Sequence, residues 1–521
     1  MDKTKIAHLK GILFTAFLFS LFIMLLGMRH YSQKRLFVLS FSGFLIAGMI
    51  LDMAICHFPP RAKRFLSGDA LSQKLYSRFS DKRIFLLLWL LISLFFAPAY
   101  LALFPGTFGY DAPVQAAQYF GEMELTSANP LLHTYLLGIF LSFGEKILKN
   151  ASLGFALFTL MQGLLATHVL AKSFLFLKKI HTPFTVMAIG LLWILLNPTL
   201  HVLTFNATKD ILLGICFLHF LLYLSDIVLP EEGAEKAGFI RLLLSGILMC
   251  LMRNAAVYLV GALLLIMLPF LRKYKKTVIT LCTVFLISLL LSRFFTNTLN
   301  IPAGNARENM CIPIQQLAAV SHSAHYGTEP VNITPEQIAS IEELIPEEAL
   351  EVFLRDTVDL VKAEFDTETF RKDPRKYISL YLSVGRQNPG IYIRAFRDMV
   401  LPYFDMTKSA RRSLSLEETF PEFSHLRISG YGLLPSFYAF LENQMEAEHY
   451  FLLLQPGISI WLMALGIGIS ICRKNGKILL CIFPVAIYFI GILLGPMALL
   501  RYLYPMMLAT PLLFGILFGK T

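Results

Sequence analysis

Apolar runs of about 20 residues recur along this chain, and they constrain its fold more than any motif does. They lie at 11–28, 36–56, 84–104, 152–176, 183–200, 210–229, 276–295, 450–471, 478–498 and 502–519. Each can carry an α-helix across a bilayer, where every backbone N–H and C=O must be paired within the segment. Residues 239–271 read as two shorter spans broken at Met252-Arg253-Asn254, because a turn at the membrane surface is cheaper than an arginine at mid-bilayer. The sequence predicts an all-α polytopic membrane protein with about 12 transmembrane helices.

Composition agrees. Of 521 residues, 56% are hydrophobic and 16% charged, against roughly 25% charged in a soluble domain. The net charge of +11 is no nucleic-acid footprint, because its lysines and arginines fall in short loops between apolar runs. The basic start MDKTKIAHLK leads into the first run with no small-residue cleavage site, so that run reads as a retained span. Seven scattered cysteines give neither a disulfide framework nor a metal-ligand spacing.

Loop charge sets the orientation. Arg61, Lys63, Arg64, Lys74, Arg78, Lys82 and Arg83 fill one loop, and Lys178-Lys179, Arg272-Lys273-Tyr274-Lys275-Lys276 and Arg473-Lys474-Asn475-Gly476-Lys477 close others. Twelve spans put all of these on one side with both termini, and that side is expected to be cytoplasmic. The segment PLLHTYLLGIFLSFGEKIL (130–148) would reverse the later loops if it crossed, so it is expected to lie at the outer surface. The division expected is a transmembrane hairpin with a basic cytoplasmic loop (1–83), a transmembrane core with external loop 105–151 (84–295), a mostly helical extracytoplasmic domain (296–447) and C-terminal transmembrane helices (448–521).

On the outer side, charged residues gather at span ends. Asp111 closes Phe104-Pro-Gly-Thr-Phe-Gly-Tyr110-Asp111, and Asp210 follows Lys209 in the turn before another span. Two converging carboxylates can hold a divalent metal or divide base and orienting roles; each can equally be a solvated charge at a helix N-terminus. Lys209, Arg253 and Arg501 suit a phosphate headgroup, or simple snorkelling to the interface. His133, alone at the start of the surface helix, reads first as a structural hydrogen-bonder. No phosphate-binding glycine loop, zinc-protease motif or serine-hydrolase elbow stands out.

In order and sidedness these pieces resemble the GT-C superfamily of membrane glycosyltransferases, and more narrowly a bacterial branch of it. The matching pieces are PGTFGYDAPVQ, the helix entry Asn129-Pro130-Leu-Leu-His133, Lys209-Asp210, Leu251-Met-Arg253-Asn254, Ile312-Pro-Ile-Gln-Gln316 and Arg501-Tyr502, across residues 84–521. The resemblance implies a GT-C-like fold in the bacterial plasma membrane, with the active site on the outer face. It implies a polyprenyl-phosphate-linked sugar as donor and a glycan, lipid or protein as extracytoplasmic acceptor. Asp111 would then be the general base, and Asp210 would orient the acceptor, a cation or Lys209. Lys209, Arg253, Arg501 and Tyr502 would hold the donor phosphate, and Tyr110, Gln115, His133 and Gln316 would position substrate. Asn-Pro stands where the family has His-Pro, and Lys-Asp where it has two carboxylates, which leaves a divalent cation (Mg2+ or Mn2+) open. Two other classes compete. A transporter or flippase of lipid-linked glycans would line a deeper cavity with charge, and a non-catalytic assembly protein would tolerate loss of both aspartates.

Overall fold

The computed structural model describes residues 79–229, 236–298, 300–302, 304, 306–404, 425–430, 432–446 and 454–519, with isolated positions between 13 and 46. Apart from those positions, the expected spans at 11–28 and 36–56 lie outside the described residues. The rest is helical, with isolated β-bridges and no sheet among the described residues. Two compact units emerge: Met1–Pro302 with Arg412–Phe489 and Arg501–Thr521, and Ala303–Arg411 with Ile490–Leu500. The second is smaller than the expected 296–447 domain. One cause is local: Gly432 and Leu433 donate backbone hydrogen bonds to Phe104 O and Leu101 O, which ties that stretch into the first unit.

The first unit opens with α1 (Asp81–Ala102), α2 (Ala112–Phe120), α3 (Leu131–Lys146), α4 (Ala151–Lys179) and α5 (Phe184–Leu196). It continues with α6 (Pro198–Thr204), α7 (Lys209–Val228), α8 (Lys236–Met252), α9 (Ala256–Met267) and α10 (Leu271–Thr298). The second unit holds α11 (Cys311–Tyr326), α12 (Pro335–Glu342), α13 (Glu347–Glu351), α14 (Asp359–Ala363), α15 (Thr367–Lys372), α16 (Pro374–Gln387) and α17 (Pro389–Phe404). Then come α18 (Pro435–Glu446), α19 (Ile458–Cys472), α20 (Gly476–Leu493) and α21 (Tyr504–Phe518).

The chain is a membrane protein. Six helices are long and apolar enough to cross a bilayer: Asp81–Ala102, Ala151–Lys179, Lys209–Val228, Arg272–Thr298, Gly476–Leu493 and Leu500–Phe518. A seventh results if Phe184–Leu196 and Pro198–Thr204, bent by 61°, form one span. Gly238–Met252, Ala256–Phe270 and Ile458–Cys472 are shorter apolar helices. The described residues thus hold six or seven helices of spanning length, and two of the about twelve expected spans, 11–28 and 36–56, lie outside them. The bend has a local cause: Asn197 Oδ1 accepts from Leu200 N at 3.1 Å, and Pro198 brings no N–H to continue the first helix.

In the first unit α4, α7 and α21 form the buried centre: α7 packs on α4, α8 and α21, while α1 and α3 pack on α4. Phe155, Phe158 and Phe174 of α4 and Phe217 and Phe220 of α7 are buried there. By contrast α1 turns Leu86, Leu87, Leu90 and Leu94 outward, a face that lipid covers without cost. Helices in lipid gain from close backbone approach, and α3 meets α4 at such a point: a Cβ on Gly144 would stand 2.6 Å from Gly154 Cα.

The turn leaving α1 is equally tight. Gly106 has φ +120°, and a Cβ there would stand 2.5 Å from Thr159 Cγ2 and 2.9 Å from Phe205 O. Gly106→Ala is expected to destabilise the protein by about 1–3 kcal/mol in thermal unfolding in detergent. Gly121→Ala, at φ +78° with nothing within 4 Å of the new Cβ, should cost less; equal losses would refute the steric account.

Candidate functional site

Two backbone segments far apart in sequence are clasped together. Thr107 N donates to Phe205 O at 3.0 Å and Ala207 N to Thr107 O at 3.1 Å, forming a one-residue parallel bridge. α4 holds both sides: Thr159 Oγ1 donates to Pro105 O at 2.6 Å, and Gln162 Nε2 to Thr204 O and Asn206 O at 2.7 and 2.9 Å. This clasp places Asp111, at the start of α2, beside Lys209 and Asp210 in the first turn of α7. Arg253 enters from the break between α8 and α9, and Arg501 from the 3-10 turn Leu500–Leu503 before α21.

These five charges form one network. Asp111 Oδ2 lies 3.1 Å from Lys209 Nζ and 3.5 Å from Arg501 Nη1. Asp210 Oδ1 accepts from Arg253 Nη1, and its Oδ2 lies 3.6 Å from Arg501 Nε. Arg501 stacks over the Tyr110 ring at 4.3 Å, and Arg253 over Tyr502 at 4.9 Å. Lys209 Nζ donates to Asn129 Oδ1 at 3.0 Å.

Burial separates the two carboxylates. The Asp111 side chain is 30% exposed, whereas that of Asp210 is 0% exposed. Asp111 stands at the N-cap of α2, but its side chain makes no capping bond there. Burial pushes its carboxyl up, but the Lys209 ammonium and the Arg501 guanidinium outweigh that and hold it well below the ordinary carboxylate range. Asp210 is sealed between Arg253 and Arg501.

His133 and Gln115 are fully buried and joined, Nδ1 to Oε1 at 3.0 Å. Burial, with help from Lys209 and against the pull of Asp111, lowers the His133 imidazole to about 3, so it is neutral. Since Gln115 Oε1 only accepts, the proton sits on Nδ1 and Nε2 is a bare acceptor. That Nε2 and Gln115 Nε2 are buried without hydrogen-bond partners. Gln316 lies in the second unit, where its Nε2 donates to Tyr392 O at 3.0 Å and its Oε1 accepts from Tyr381 at 2.6 Å.

Asp111 and Asp210 do not fit a divalent cation. Each is already paired with cations, and three cations against two carboxylates leave the cluster one positive charge in excess. That excess fits an anion. Among the residues the sequence reading did not assign to the site, Asn129, Thr159 and Gln162 fix its geometry. Thr159 and Gln162 were readable as two polar residues, three apart on one face of an apolar helix.

A family model matches residues 120–518, and its description is a family of unknown function, DUF6020. The chain belongs to DUF6020. The matched stretch of this DUF6020 chain contains Lys209, Asp210, Arg253 and Arg501. No curated protein matches the sequence. Among solved structures the DUF6020 chain is similar to ArnT from Cupriavidus metallidurans bound to undecaprenyl phosphate, at 11% identity over 82% of this chain and 76% of that one. The TM-score is 0.30, a superposition too loose to tie any residue of this chain to one of that protein.

Proposed function

We propose that this DUF6020 protein is a membrane glycosyltransferase that moves a sugar from a polyprenyl-phosphate donor to an extracytoplasmic acceptor. The observation that carries the reading is one partly open carboxylate, Asp111, set between Lys209 and Arg501 in a cluster with excess positive charge. An acceptor hydroxyl approaches Asp111, which takes its proton. The acceptor oxygen attacks the anomeric carbon with inversion, and the bond from that carbon to the phosphate oxygen breaks, its electron pair staying on the phosphate. Lys209 and Arg501 receive the developing charge, with Arg253 behind them. Asp210 is a positioning residue that holds both arginines, and the buried His133, bonded to Gln115 of α2, is a positioning residue as well.

A carboxylate held so far down is a weak base. Lys209 and Arg501 must turn toward an incoming phosphate before Asp111 gains basicity, so donor binding switches the base on.

The protein reconstituted in vesicles with labelled polyprenyl-phospho-sugars should consume one of them and release polyprenyl phosphate. EDTA should change the rate by less than about twofold, since no step uses a metal. No consumption of any such donor would sink the reading. Loss with EDTA and recovery with Mg2+ would overturn the metal-free site.

A further inference from the structure

The helices that build the Asp111 cluster carry a second charged cluster, roughly 15 Å further along their axes at 1.5 Å per residue. Lys172 of α4, His219 of α7 and Arg241 of α8 compose it, with His168 of α4. The imidazoles of His168 and His219 lie 6.0 Å apart. Phe85 and Trp89 meet His168 edge-on at 5.3 and 5.7 Å, and Tyr223 stacks on His219 at 5.8 Å. Lys172 is within electrostatic range of both imidazoles and of Arg241.

The carboxylates nearby are taken. Asp81 lies 2.5 Å from Lys178, and Asp226 lies 2.6 Å from Lys179. Among the described residues no ion pair engages Lys172 or Arg241, and Nδ1 of His168 and of His219 are buried without hydrogen-bond partners. Two neighbouring cations without a counter-charge are costly at membrane depth. Beside Arg241, Ile240, Leu244 and Leu248 form an exposed apolar stripe along α8, at the i, i+4 spacing of one helix face. Cations beside an exposed apolar stripe match a lipid better than a free anion.

We infer that this cluster binds an anionic phospholipid, its phosphate held by Lys172 and Arg241 with the two histidines as further hydrogen-bond partners, and an acyl chain on the α8 stripe. Nothing in this depends on sugar transfer. The full chain in detergent, offered phosphatidylglycerol and phosphatidylcholine together, should keep phosphatidylglycerol in native mass spectrometry. Lys172→Gln/Arg241→Gln should weaken that binding roughly 25-fold, at about a fivefold loss per cation. Lys209→Gln/Arg501→Gln should leave it unchanged. Should the first pair fail to fold, His168→Gln/His219→Gln should still lower retention. Equal retention of both lipids by the wild type, or unchanged retention in folded variants, would overturn the inference. So would a Lys172/Arg241 variant that loses added polyprenyl phosphate while keeping phosphatidylglycerol.

Discussion

An Asp111→Asn protein is expected to fold as the wild type does and to turn over the proposed lipid-linked sugar donor about 100- to 10,000-fold more slowly. The amide keeps the shape of the carboxylate and cannot take a proton. Stability should fall little, because the Asp111 side chain is 30% exposed and its partners keep others: Lys209 bonds Asn129 Oδ1, and Arg501 lies 3.6 Å from Asp210. The kinetic pattern separates a base from a binding group. Removing this charge frees Lys209 and Arg501 for the donor phosphate, so KM should stay level or fall while kcat collapses. A rise in KM with kcat intact would mean that Asp111 only binds. The wild-type kcat/KM should show no acid limb from Asp111 between about pH 5 and 8, since the carboxyl is held below its ordinary range in the free protein.

The membrane class was legible because long apolar runs have few other uses. Where single side chains set the boundaries, the reading was coarser. The run 183–200 averages as one span by hydropathy, yet Asn197 and Pro198 bend it by 61°. The charged residues were legible as a set at helix ends, but their pairing was not, because Arg253 reaches Asp210 only through the packing of α8 on α7. Burial was hidden too. Asp111 and Asp210 look alike in sequence, as acidic residues beside span ends, and the fold makes one accessible and seals the other. Gln316, a polar residue expected to position substrate, has both ends of its amide bonded to Tyr381 and Tyr392, a pairing that no spacing in the sequence announces.

Removing Arg253 should expose how the sealed carboxylate is held. Arg253→Met is expected to destabilise the protein by about 3–5 kcal/mol, because it strands a buried charge. Asp210 is 0% exposed, so the carboxylate that loses the guanidinium is buried. Arg501 cannot take over easily: its Nε stands 3.6 Å from Oδ2, and its Nη1 already faces Asp111. Methionine keeps an unbranched apolar stem against Tyr502, so the loss is mainly electrostatic. Asp210→Asn in the same chain should therefore recover more than half of the stability, because a neutral amide costs far less to bury than an unpaired carboxylate. Thermal unfolding of the two single variants and the double variant closes the cycle. A double variant no more stable than Arg253→Met would refute the stranded-charge account and leave lost packing as the cause. Recovered stability without recovered turnover would separate the two jobs of Arg253: holding Asp210, which the amide makes unnecessary, and stabilising the departing phosphate, which only a cation can do.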